Sequence, residues 1–116
     1  MSKRRGHIAV DFDKTLVSYD GHYKGPAHIG EPIPEMMGRV RKWLSEGKEV
    51  RIFTARADPD EPDYETAIVA IEHWCQEHFG VILKITNQKK RDTYEIWDDR
   101  AIQVIPNTGK RVDGKP

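Results

Sequence analysis

The hydrophobic positions of this chain change their period several times, and each change marks an element. Residues 7–12, HIAVDF, form a short continuous apolar run, the pattern of a strand buried on both faces. Within 35–46, Met36, Met37, Val40, Trp43 and Leu44 fall on one helical face, with Pro34 at the start and Gly47 just past the end. EVRIFT at 49–54 predicts a second strand. From 63 to 79 the apolar positions Tyr64, Ala67, Ile68, Ile71, Trp74, Cys75, His78 and Phe79 keep a 3.6-residue period, and Gly80 closes the helix they predict. VILKIT (81–86), YEIW (94–97) and IQVI (102–105) predict three more strands. Strand, helix, strand, helix, strand is the order of an α/β domain with a mostly parallel sheet flanked by helices.

Two segments fall outside this pattern. Residues 16–34 are rich in glycine and proline and carry Tyr19, His22, Tyr23 and His28, so they predict a long loop or flap. The tail, 107–116, is polar and glycine-containing and predicts a flexible end. With no repeat and no low-complexity tract, the 116 residues read as a single domain.

Composition narrows the class without naming a function. Hydrophobic residues at 37% and charged residues at 33% describe a polar but globular chain. The formal net charge is zero, so nucleic-acid or membrane binding would have to rest on a local patch. The single cysteine, Cys75, cannot form an internal disulfide. MSKRRGH leads into a strand instead of a signal-peptide core, and no apolar run is long enough to span a bilayer. The expectation is a cytoplasmic protein with no membrane partner.

Chemistry gathers where the predicted strands end. Ligands of open parallel sheets bind at the carboxyl ends of the strands, near a topological switch point. The first strand delivers Asp11 and Asp13, and the second delivers Thr54 and Arg56. The third is followed by Lys89, Lys90 and Arg91, and the fourth delivers Asp98, Asp99 and Arg100. Side chains two apart in an extended segment share a face, so Asp11 and Asp13 repel each other, and Asp98 and Asp99 worsen the conflict. A divalent cation removes it, and Mg²⁺ suits a few carboxylates completed by water and a substrate phosphate. Taken singly, each piece has an ordinary structural use in turns, caps or surface ion pairs. The joint arrangement is what points to a site.

DFDKTL, FTAR, TNQKK and WDDRA, in this order over about residues 7–105, resemble the haloacid dehalogenase-like (HAD) phosphohydrolase superfamily, whose first motif is D-x-D-x-T after a hydrophobic strand. The resemblance implies a Rossmann-like fold and a Mg²⁺-dependent phosphomonoester hydrolase working through an aspartyl-phosphate. It makes Asp11 the nucleophile and Asp13 the general acid and base. Thr54 would hold a phosphoryl oxygen, and a lysine would neutralise charge. That lysine is Lys84, Lys89 or Lys90; Lys89 is preferred because it lies nearer the carboxyl edge. The metal would be held by Asp11, the backbone carbonyl at Asp13, and Asp98 and Asp99. Lys14 stands where the family often has glycine, and with Arg56 and Arg100 it is a candidate for substrate binding. No segment is long enough for a cap domain. An uncapped site admits large phosphorylated substrates as well as small ones, a nucleic acid end included, or is closed by a second subunit of a homo-oligomer. The rival expectation is a HAD-like binding or regulatory module without turnover.

Overall fold

A computed structural model describes residues 5–116, so the start of the basic N-terminal stretch, 1–4, lies outside the described residues. Four strands, β1 (His7–Asp11), β2 (Val50–Phe53), β3 (Lys84–Thr86) and β4 (Thr93–Trp97), alternate with two helices, α1 (Pro34–Ser45) and α2 (Tyr64–Phe79). The sheet order is β3-β2-β1-β4, and all three pairings are parallel. The α/β, Rossmann-like expectation therefore holds, with each expected helix and the first four strands in place.

Both helices lie on one face of the sheet. Ile8, Val10 and Phe12 of the first strand and its exit, with Val50 and Ile52 of β2, form a single core with Met36, Met37 and Val40 of α1 and Ile71, Trp74 and Cys75 of α2. The Phe12 and Trp74 rings meet edge to face, 5.2 Å between centroids, and Trp43 tilts against Trp97 at 5.2 Å. Such aromatic pairs add to the stabilisation that burial already supplies.

The opposite face carries His7, Ala9 and Asp11, in register with Arg51, Phe53, Lys84 and Thr86. Its cover comes from a short link. Residues 87–92 must join the carboxyl end of β3 at one edge to the start of β4 at the other. Three strand spacings across and four residues down make a diagonal of roughly 20 Å. Seven extended steps reach about 25 Å, less than the roughly 28 Å needed to go around the sheet. The link therefore crosses a face with no length for a helix, and it ends in a turn in which the Thr93 N–H donates to the Lys90 carbonyl. The helix face is filled, so it crosses the other one. This explains why His7 and Ala9 are buried with no helix above them. The landing is tight: the His7 amide donates to the Asp92 carbonyl at 3.0 Å. Gly6, at φ +100°, sits where a Cβ would overlap that same carbonyl oxygen.

Two strand expectations are corrected. The third strand begins at Lys84, because β2 offers partners only for Lys84, Ile85 and Thr86. Val81 and Ile82, before it, are exposed. The fifth strand does not form. β4 is the sheet's edge, and 102–105 instead turns back on 110–112. Ile105 N–H donates to the Lys110 carbonyl, and Val112 N–H to the Gln103 carbonyl. Ile102, Val104 and Ile105 remain exposed, so their apolar alternation reports no buried face.

The loop at 16–34 is closed at its base. Ser18 N–H donates to the Glu31 carbonyl and Ile33 N–H to the Leu16 carbonyl. Gly30 lies against the Ser18 backbone so closely that a Cβ would collide with it. No helix of the described residues is long and apolar enough to cross a membrane.

Candidate functional site

In this strand order the chain moves from β1 outward to β3 and then returns to the other side of β1. The switch point lies between the carboxyl ends of β1 and β4, where ligand crevices form in open α/β sheets. β1 ends at Asp11 and β4 at Trp97, so Asp11, Asp98 and Asp99 are delivered to that crevice.

One carboxylate oxygen from each of Asp11, Asp98 and Asp99 lies within 4.8 Å of the others. The Thr15 hydroxyl donates to Asp11 Oδ2 at 3.3 Å and lies 3.5 Å from Asp99 Oδ1. Asp98 Oδ1 accepts from the Arg100 backbone N–H at 2.9 Å, which folds the DDR turn back on itself. Burial, first of all, raises the Asp11 pKa from 3.8 to about 7. A hydrogen bond with Asp99 and the charges of Asp98 and Asp99 push the same way, and Thr15 opposes them. Asp11 is thus a carboxylate kept short of positive charge.

Asp13 meets a different fate. Arg56 grips it with both arms of its fork, Nε to Oδ2 at 2.9 Å and Nη2 to Oδ1 at 2.8 Å. The guanidinium also lies over the Phe12 ring, 5.8 Å from its centroid. Its remaining nitrogen, Nη1, donates to the carbonyls of His28 at 2.8 Å and Pro26 at 3.3 Å. One side chain therefore ties the end of β1 to the tip of the 16–34 loop. Thr54 is buried, and its hydroxyl accepts from Arg56 N–H, starting the single 3-10 turn Ala55–Ala57.

The sequence-derived residues separate into groups. Asp11, Asp98 and Asp99 come together; the Asp13 carboxylate is not part of that cluster. Arg56, a candidate for substrate phosphate, is committed to Asp13 and the loop. Lys14 has φ +70° and lies 6.0 Å over the Tyr19 ring. Lys89 is exposed on the crossing link. Among the described residues no ion pair joins Lys14, Lys89 or Arg100 to the three carboxylates. Trp97 packs on the helix face against Trp43, as an anchor of the core.

The role of Thr15 and the pairing of Asp13 with Arg56 were not assigned from the sequence. Thr15 lies four residues beyond Asp11 in the turn that follows β1, and its place in D-x-D-x-T was the available signal. The Asp13–Arg56 pair spans 43 positions, and no local pattern reports it.

No protein-family model matches the sequence, and no curated protein matches it. The fold is similar to that of a conserved protein from Bacteroides thetaiotaomicron, at a TM-score of 0.55 and 23% identity, over 96% of this chain and 81% of that one. That likeness establishes a shared fold and carries no activity with it.

Proposed function

We propose that the protein is a HAD-type phosphatase that hydrolyses a phosphomonoester through an aspartyl-phosphate on Asp11, with Mg²⁺ as cofactor. The observation that carries this reading is the frustrated carboxylate cluster at the end of the central strand. Three hard oxygen donors, one held far above its ordinary pKa, form a donor set that fits a small divalent cation. Asp11, Asp98 and Asp99 would hold Mg²⁺, which when bound supplies the positive charge that lets them ionise together and offsets charge on phosphoryl oxygens.

The chain's own residues then have distinct tasks. An Asp11 oxygen attacks phosphorus in line, and the bond from phosphorus to the ester oxygen breaks. Thr15 orients the Asp11 carboxylate through its hydroxyl. Asp13 gives a proton to the leaving oxygen and later takes one from the water that cleaves the acyl phosphate, releasing phosphate and restoring Asp11. Both Asp13 oxygens are held by Arg56, so turnover requires the guanidinium to let go. The same guanidinium holds the loop carbonyls, which couples that release to movement of the 16–34 loop. Of Lys84, Lys89 and Lys90, Lys89 lies on the link just after β3, nearer the carboxyl edge, and is the lysine assigned to approach a bound phosphoryl group.

Phosphate release from a panel of an aryl phosphate, nucleotides and end-phosphorylated oligonucleotides tests the reading. Release should need Mg²⁺ and vanish with chelator and in Asp11→Asn. Asp11→Asn releasing phosphate at the wild-type rate would sink it. The Arg56 grip on Asp13 favours one second reading, a binding module without turnover. Mg²⁺ binding with no release across the panel would move the assignment there.

A further inference from the structure

A cleft of about 410 Å³ opens beside Arg56, between the tip of the 16–34 loop and the start of α2. Its volume lies in the range of small-molecule sites. Tyr23 and Pro26 form one wall, and Pro62, Tyr64 and Ala67 form the other. Tyr23 is 70% exposed, and neither tyrosine side chain has a hydrogen-bond or ring partner among the described residues. Two unpartnered aromatic rings around a mostly apolar cleft are suited to stacking on a flat ligand. Arg56 lines the cleft and holds Asp13, so the cleft adjoins the end of β1 through that side chain.

The rim decides what kind of flat ligand fits. Glu61 and Asp63 line the cleft, and five of the eight residues from 58 to 65 are acids with no cation among them. Ionised carboxylates accept hydrogen bonds and repel phosphates. That rim admits a ring with N–H donors on its edge and rejects a run of phosphates. The one cation that lines the cleft, Arg56, is already committed to Asp13.

We infer that this cleft seats the alcohol portion of a small phosphomonoester, a flat aromatic group with hydrogen-bond donors on its edge, which is the chemistry of a nucleobase. The inference rests on the proposed hydrolase reading and names its substrate class: a mononucleotide, with its single phosphate at Asp11 and its base between Tyr23 and Tyr64. An oligonucleotide end is the disfavoured substrate, because the chain beyond its first nucleotide would meet the acidic rim.

Two measurements on the full chain test it. Amide chemical shifts are followed while adenosine, which has no phosphate, is added, and steady-state kinetics compare adenosine monophosphate with glycerol phosphate. Adenosine should move the amides of Tyr23, Tyr64 and Ala67. Tyr23→Ala and Tyr64→Ala should each raise KM for adenosine monophosphate about tenfold and leave glycerol phosphate unchanged, while Tyr64→Phe keeps the wild-type values. Tyr23 is so exposed that its loss does not endanger folding, so a fold defect in Tyr64→Ala leaves the test intact. Adenosine shifts in the cleft with no phosphate release from any ester would uphold the cleft and overturn the hydrolase. Release from both esters with equal losses in Tyr23→Ala, or with no shifts in the cleft, would overturn the cleft and leave the hydrolase standing.

Discussion

Replacing Asp11 by asparagine should make the metal-free protein more stable at alkaline pH. In the folded chain the Asp11 pKa is about 7, against 3.8 ordinarily. A carboxyl whose pKa is raised by folding binds its proton more tightly in the native state. Between about pH 4 and pH 7 the folded protein therefore holds more protons than the unfolded chain, and stability falls as pH rises through that window. A shift of about three units corresponds to roughly 4 kcal/mol. Asp11 is only about half buried, so screening by water reduces this to about 2 kcal/mol. Asparagine has the same shape and cannot ionise. Urea unfolding followed by tryptophan fluorescence, in chelator, should give matched midpoints for the two proteins near pH 3, below the ordinary carboxyl pKa of 3.8. At pH 8 Asp11→Asn should lead by about 2 kcal/mol. Mg²⁺ at about a hundred times its dissociation constant should restore about 2.7 kcal/mol to the wild type at pH 8, and much less to the variant. Parallel stability curves from about pH 3 to 8 would refute the argument, because the cluster would then hold no strained charge for a cation to relieve.

Three further outcomes test other parts of the structure. Arg56→Lys keeps the charge and loses the fork, so it should cost about 2 kcal/mol in urea unfolding and speed proteolytic cleavage within residues 19–30. His7 is buried against Thr93, and burial first, then the Arg51 charge, lowers its pKa from 6.5. Its contribution to stability is present above about pH 6.5 and lost as pH falls below it, so His7→Gln should flatten the acid side of the stability curve relative to wild type. Burial pushes the Cys75 thiol up to about 11. A disulfide reagent at pH 8 should therefore label the folded protein slowly and the urea-unfolded protein at once.

Periodicity was enough for most of the fold because the elements here are amphipathic in the ordinary way. Val40, Trp43, Ile71 and Trp74 face the core where the 3.6-residue pattern places them, apart from Trp43, which sits at its margin. The pattern failed where a segment's apolar residues have no neighbour to cover them. IQVI reads as a strand, but the sheet has already ended at β4, and local sequence does not report how many strands a sheet has. The path from β3 to β4 was equally hidden, since its length matters only once the strand order is known. At the site, composition of the strand ends showed which residues would gather, and Asp11, Asp98 and Asp99 did gather. It did not show which cation would answer which carboxylate.

That last question is where the D-x-D pair gains its physical sense. Asp11 and Asp13 leave the same strand end, yet they reach opposite electrostatic outcomes two residues apart. Asp13 has a protein cation of its own, held in a two-armed grip and braced by loop carbonyls. Asp11 has only a hydroxyl and two more carboxylates. Had Arg56 reached Asp11 instead, Asp11 would sit in a satisfied ion pair with no charge conflict left for a cation to relieve. Had Asp13 joined the cluster, four carboxylates would compete for one small cation. Dividing the pair keeps one carboxylate poised and the other latched. It also makes the latch the element that the loop, and whatever occupies the cleft beside it, can reach first.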